Sequence, residues 1–171
     1  PMIMSPATIK KYIDQIFKAK LDNLDTIRFG TKSLTYWPFA FLPDFSDEAE
    51  DMLNLFRQIV DGGKHLSFMA HFNHPQEMDN SAVQEAIYNI RQTGAEIRTQ
   101  APVLRNINNS SKIWRDMWTQ QVKLGMIPYY MFIERETGPY YYFSVPLAEI
   151  YEMYQHAIKY SGSLGKTVTA P

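Results

Sequence analysis

The chain contains no cysteine. That absence excludes disulfides and every thiolate metal site built from these residues alone. It also has almost no net charge, with 17 Lys and Arg against 18 Asp and Glu, a formal balance of −1. No basic stripe is present for a nucleic acid to follow, and no global field favours an anionic membrane. No apolar run is long enough to span a bilayer. Pro1-Met2-Ile3-Met4 is apolar but short and uncharged, so it lacks the form of a signal peptide, and the cytoplasm is the expected location. Gly162, Gly165 and Lys166 do not have the GxxxxGKS/T spacing of a phosphate loop.

What is present argues for a folded protein. The 171 residues are 45% hydrophobic and 14% aromatic, enough for a core and far from the composition of disorder. One domain over residues 1–171 is expected, with no internal boundary. Ser5-Pro6 reads as a cap followed by proline at the first helical position, and Ile9, Ile13, Ile16 and Phe17 recur at helical spacing. Thr26 to Gly30 is a short apolar strand. Thr31 to Pro43, rich in aromatics and proline, reads as a loop. Acidic residues from Asp47 to Glu50 suit the first turn of a helix that Gly62-Gly63 ends.

The alternation then repeats. Leu66 to Ala70 is a second strand, and a helix runs from about Asn80 to Gln92. Glu96-Ile97-Arg98 leads into a third strand ending near Val103, and Ser110 or Ser111 caps a helix that Gly125 ends. Met126 to Ile133 is a fourth strand, and Leu147, Ile150, Tyr151 and Tyr154 mark a last helix. Such alternation implies parallel strands with right-handed crossovers. Four strands cannot close a barrel, and the chain opens on a helix. The expected class is therefore α/β, an incomplete (β/α) barrel of about four parallel strands and five helices.

Polar side chains follow the strands, where parallel α/β sheets carry their sites. His71 and His74 stand three apart after the second strand. A zinc site would need a third ligand, and Glu77 fits no standard spacing. The alternatives are a histidine satisfied by loop carbonyls or a ligand contact at the strand end. Gln100 lies within an apolar strand, either bonded to a neighbouring loop or gripping a polar ligand. Arg135, in Glu134-Arg135-Glu136, is either part of a solvated charge run or a guanidinium clamp for a carboxylate. Tyr140 to Phe143 reads as packing at a loop–helix junction, since no basic groove accompanies it.

Five stretches carry a resemblance to a known family: Arg28-Phe29-Gly30-Thr31-Lys32, His71 to Pro75, Gln100 through Asn108-Asn109, Pro128 to Phe132, and Phe143 to Leu147. In order and spacing they resemble the lysine 2,3-aminomutase family of radical S-adenosylmethionine (SAM) enzymes, over essentially the whole chain. The resemblance implies a partial barrel of the radical SAM type. It implies a four-iron four-sulfur cluster on a CxxxCxxC loop, SAM cleaved to a deoxyadenosyl radical, and pyridoxal phosphate (PLP) holding the substrate amino group. Pro1 then matches the proline of the family's GGDP segment, and the chain covers the second helix through the sixth. The cluster loop, the SAM-contacting glycines and the PLP lysine fall outside it; Lys166 comes too early to be that lysine.

By the same resemblance, His71 and Gln100 match SAM contacts, and Phe132 matches a tyrosine near the cofactors. Arg135 and Thr169 stand where lysine-specific members hold the substrate's distal ammonium with two aspartates. An arginine there repels an ammonium and attracts a carboxylate. The expectation is a fragment of an amino-acid 2,3-aminomutase, inactive alone, whose small-molecule amino-acid substrate is not lysine. The alternative is a non-catalytic half-barrel, completed by another chain or forming a homo-oligomer through the exposed edge of its first strand. A third possibility is a ligand-binding α/β domain unrelated to the family.

Overall fold

The computed structural model describes residues 4–136 and 138–170. Pro1, with its expected place in a GGDP segment, lies outside the described residues. In chain order the elements are α1 (Pro6–Ala19), β1 (Thr26–Thr31), α2 (Ser33–Tyr36), a 3-10 turn (Pro38–Phe41), α3 (Ala49–Asp61) and β2 (His65–His71). A second 3-10 turn (Pro75–Met78), α4 (Ser81–Gln92), β3 (Glu96–Val103), α5 (Ser111–Lys123) and β4 (Ile127–Ile133) follow. The chain continues through α6 (Tyr140–Phe143), α7 (Leu147–Lys159) and a last 3-10 turn (Gly165–Thr167). The four strands form one sheet in the order β1-β2-β3-β4. β1 pairs with β2, and β3 with β4, in parallel. This is the α/β class expected from the sequence, with the strand order of a partial β/α barrel.

The chain separates into two compact units, residues 1–70 with 81–97, and residues 71–80 with 98–171. In the first, Ser5 caps α1 by accepting the Thr8 N–H at 3.3 Å, with Pro6 at the first turn. Parallel pairing sets Ile27 beside Leu66 and Phe29 beside Phe68, so both strands turn these residues to one face. Phe56 of α3 meets that face. Its ring centroid lies 4.9 Å from Phe68 in a T-shaped contact and 6.0 Å from Phe29. Phe41 closes the cluster, and Phe41, Phe56 and Phe68 are fully buried. Such edge-to-face contacts add to the transfer energy of the buried rings.

The segment read as a loop from Thr31 to Pro43 instead holds α2 and a 3-10 turn. Thr31 Oγ1 accepts the Ser33 N–H at 3.0 Å, and Pro38 presets the turn that buries Phe41. Local hydrogen bonding and the burial of Leu34, Phe41 and Leu42 override the aromatic and proline composition.

The second unit packs α5 and α7 through Trp114, Met117, Trp118, Ile150 and Met153, all buried. Trp118 meets Trp114 at 5.7 Å and Tyr154 at 6.3 Å. Gly125, at φ +77°, makes the left-handed exit from α5 into β4. Tyr140 to Phe143 corrects the expectation of a packed junction. Tyr141 is 90% exposed and Tyr142 is exposed as well, so α6 does not pack through these rings. Its backbone is what is held: the Arg105 N–H donates to the Phe143 carbonyl at 2.8 Å.

Phe56→Ala empties the centre of the first unit's aromatic cluster. The expected cost is about 3–5 kcal/mol, read as a lower urea midpoint with an unchanged m-value. A loss below about 1 kcal/mol would show that the cluster is not the unit's core.

Candidate functional site

The site lies in the second unit, at the carboxyl ends of the strands. His71 is the last residue of β2 and Gln100 lies within β3; both are half-buried. Their side chains meet, Gln100 Nε2 to His71 Nε2 at 2.6 Å. The Phe132 ring stands at 73° to the imidazole with centroids 6.1 Å apart, and Tyr130 stacks on Phe132 at 5.5 Å. Gln100, Tyr130, Phe132, Ile133 and Arg135 line an open pocket of about 430 Å³.

The register of β3 against β4 explains why these aromatics share a face with Gln100. Thr99 pairs with Pro128, but Gln100 pairs with Tyr130, so β4 carries one extra residue at this point. The bulge places Tyr130 beside Gln100 and Phe132 beside Pro102. It also explains a burial pattern that does not alternate: Pro128 and Met131, three apart, are both buried. The preceding step of β3 is pinned, since Thr99 Oγ1 donates to Gln121 Oε1 of α5 at 2.7 Å, with both residues buried.

A buried amide holds the strand-end loops. Asn108 is 0% exposed. Its Oδ1 accepts the Leu104 N–H at 2.7 Å, and its Nδ2 donates to the carbonyls of Asn73 and Pro102, each at 3.0 Å. Nearby, His74 and Glu77 form a capping box. His74 Nδ1 accepts the Gln76 N–H at 3.3 Å, while Glu77 accepts from the N–H groups of Asn73 and His74. His74 and Glu77 are thus engaged in capping. Among the described residues no group of three His, Cys, Asp or Glu is placed to hold a metal ion. Two buried acceptors in this region have no hydrogen-bond partner, Asn73 Oδ1 and Glu134 Oε2.

Thr169 reaches the site through the tail. Its N–H donates to the Tyr129 carbonyl at 2.8 Å, and its carbonyl accepts the Met131 N–H at 3.2 Å, making a parallel bridge beside Tyr130. The Tyr154 hydroxyl donates to the Val168 carbonyl at 2.8 Å and anchors this segment to α7. Burial raises the Tyr154 pKa above its ordinary value of 10.0.

Of the four residues expected at the site, Gln100 and Arg135 line one pocket and His71 is bonded to Gln100. Thr169 bridges next to the pocket's Tyr130 and is itself exposed. Lys166 is exposed and does not line the pocket. The role of Asn108 was not anticipated, and its residue type gives no signal apart from the loop it bonds. The bulge did leave a trace, because proline inside an apolar strand points to an edge or a bulge.

A ligand with a planar ring and polar groups fits this lining: stacked aromatics, an amide and a guanidinium. An iron–sulfur cluster does not fit, since no thiolate exists in the chain. A PLP imine does not fit either, since no lysine lines the pocket among the described residues.

No protein-family profile matches the chain. It is 29% identical over 154 residues to the "Putative L-lysine 2,3-aminomutase" of Aquifex aeolicus (strain VF5), an alignment covering 90% of this chain and 39% of that protein. It is 23% identical over 145 residues to the glutamate 2,3-aminomutase of Clostridioides difficile (strain 630), covering 85% of this chain and 32% of that protein. The chain is a relative of the 2,3-aminomutases. It spans less than half the length of these two relatives, and each aligns with most of the present sequence. No helix among the described residues is long and apolar enough to cross a membrane.

Two substitutions test how this site is held. Asn108→Ala strands two carbonyls and an N–H and should cost about 2–3 kcal/mol. Hydrogen exchange at the Leu104 amide should accelerate with it, and an unchanged rate there would rule out the clamp. Tyr154→Phe should cost about 1 kcal/mol and speed exchange at the Met131 and Thr169 amides. Because the folded Tyr154 pKa is raised, its contribution is complete below the ordinary value and declines as pH rises past about 10. Exchange at those two amides, corrected for intrinsic rates, should therefore rise in that window in the wild type and stay flat in Tyr154→Phe.

Proposed function

We propose that this chain forms part of the barrel of a radical SAM, PLP-dependent amino-acid 2,3-aminomutase. Two observations support the reading together: similarity to proteins named for that activity, and a strand-end pocket holding Gln100 and Arg135 with His71 against Gln100. In such an enzyme, bound SAM supplies the radical and bound PLP holds the migrating amino group. The cluster and the PLP lysine would come from residues outside these 171, because the chain has no cysteine and no lysine lines the pocket among the described residues.

His71 and Gln100 contact SAM in this proposal. The Tyr130–Phe132 stack gives the pocket an apolar wall that excludes water from one side of the ligand. Arg135 takes the distal end of the substrate, with Thr169 nearby on the adjoining bridge. A guanidinium favours a carboxylate and disfavours an ammonium, so the substrate carries an anionic or polar side chain rather than that of lysine.

The test is an anaerobic assay of the protein that carries this chain, reconstituted with iron, sulfide, SAM and PLP. Migration of the amino group from C2 to C3 is expected, with glutamate turned over more efficiently than lysine. Arg135→Asp should lower kcat/KM for glutamate by about 10–100-fold and narrow or reverse the preference. Efficient turnover of lysine over glutamate would overturn the substrate assignment. Failure to convert any amino acid in a cluster-loaded preparation would overturn the function.

A further inference from the structure

We propose that the aromatic patch between Tyr36 and Phe45 is a docking surface for an extended, arginine- or lysine-bearing segment of another polypeptide. The patch belongs to the first unit, and none of its residues lines the pocket described above. Five aromatic residues fall in these ten positions, and only Phe41 is buried. Tyr36, Trp37, Phe39 and Phe45 remain 41–66% exposed. Phe39 and Phe45 pack on each other with ring centroids 5.3 Å apart, so part of the patch is ordered before any partner arrives.

The backbone keeps these rings outside. Phe41 and Leu42 take the interior positions of the 3-10 turn and its end. The Phe41 carbonyl accepts from Asn89 Nδ2 of α4 at 3.1 Å, and the Leu42 carbonyl accepts the Phe45 and Ser46 N–H groups at 3.0 and 3.1 Å. Turning Phe45 inward would break the bonds at Leu42.

Charge selects the occupant. From Ser33 to Asp51 the chain carries five acidic residues and no Lys or Arg. Asp44, Asp47 and Glu48 are exposed and make no ion pair among the described residues. A ring face attracts a cation, and a nearby carboxylate adds to that attraction. Area narrows the choice further. Four half-exposed aromatic side chains offer about 400 Å², the size of a functional patch but only about half of what each partner buries in a stable protein pair. A second copy would also bring the same acids against these, which repel. A short cationic segment meets both conditions.

The experiment is hydroxyl-radical footprinting of the protein that carries this chain, titrated with an unstructured peptide of alternating arginine and serine. Peptides with glutamine or glutamate in place of arginine are the controls. Without peptide, the four rings should be oxidised as exposed side chains. The arginine peptide should protect them saturably, and added salt should weaken the protection; the controls should not protect them. Read at Tyr36, Trp37 and Phe39, Phe45→Ala should weaken binding by about fourfold. Asp44→Asn, Asp47→Asn and Glu48→Gln together should weaken it by about tenfold at low salt. Both variants alter only exposed side chains, so the fold is retained. Rings already protected without peptide would show that the protein covers the patch itself, and would overturn the proposal. So would no protection by the arginine peptide, equal protection by the glutamine peptide, an unchanged affinity in either variant, or a doubling of mass in solution that Phe45→Ala abolishes.

Discussion

Between Thr99 and Gln100 the pairing of β3 advances by one residue on the β4 side, and the lining of the pocket depends on that step. Side chains of paired residues in parallel strands point the same way. With regular pairing, Gln100 would stand beside Tyr129, and Pro102 beside Met131. The pocket would then gain a flexible thioether and lose its stacked pair. The bulge instead sends Met131 to the buried side and brings Tyr130 and Phe132 beside Gln100 and Pro102. The same step exposes backbone groups of Tyr129 and Met131 to the tail, and Thr169 bonds to both. One added residue thus determines which rings line the pocket and where the next segment docks.

The loops beyond the strands are held by hydrogen bonds rather than by regular structure. Asn108 spends its acceptor and two donations on three backbone groups, those of Leu104 and Asn73 lying beyond the strands and that of Pro102 near the end of β3. A backbone group left unpaired in a buried loop costs about 1–3 kcal/mol, so one satisfied amide offsets a penalty larger than its own desolvation. The orphaned Asn73 Oδ1 sits in the same loop, whose carbonyl and N–H are both occupied. The loop is fixed by its backbone, and its side-chain acceptor is held in place without a protein partner. That pattern is found where buried polar groups await a ligand or an ordered water.

Much of this was legible in the sequence. The five long helices and four strands follow from apolar periodicity and glycine stops, and their bounds agree to within a few residues because tertiary packing repeats what the local pattern dictates. His71, Gln100 and Arg135 were legible as strand-end residues for the same reason. What the sequence hid is contact-dependent. Thr31 to Pro43 has loop composition but folds into two short turns because burying Leu34 and Phe41 outweighs propensity. Tyr140 to Phe143 has the composition of a packed cluster but exposes two of its rings, because the turn is held through its backbone. Asn108 differs from its neighbour Asn109 only in what it touches.

The charge at position 135 invites a question of magnitude. Two unit charges 4 Å apart interact by about 1 kcal/mol in water and about 4 kcal/mol at an effective dielectric of 20. Exchanging a distal ammonium for a carboxylate reverses the sign, so the swing between two substrates is about twice these values. Arg135 is exposed beside an open pocket, where the smaller figure applies. A swing of about 2 kcal/mol discriminates by a factor of about 30. If further polypeptide covers the pocket, the dielectric falls and the same guanidinium discriminates far more strongly. An uncovered wall and a covered one therefore differ in selectivity with no change of residue. In the proposed enzyme, Arg135 sets the sign of the preference, and whatever encloses it sets the size.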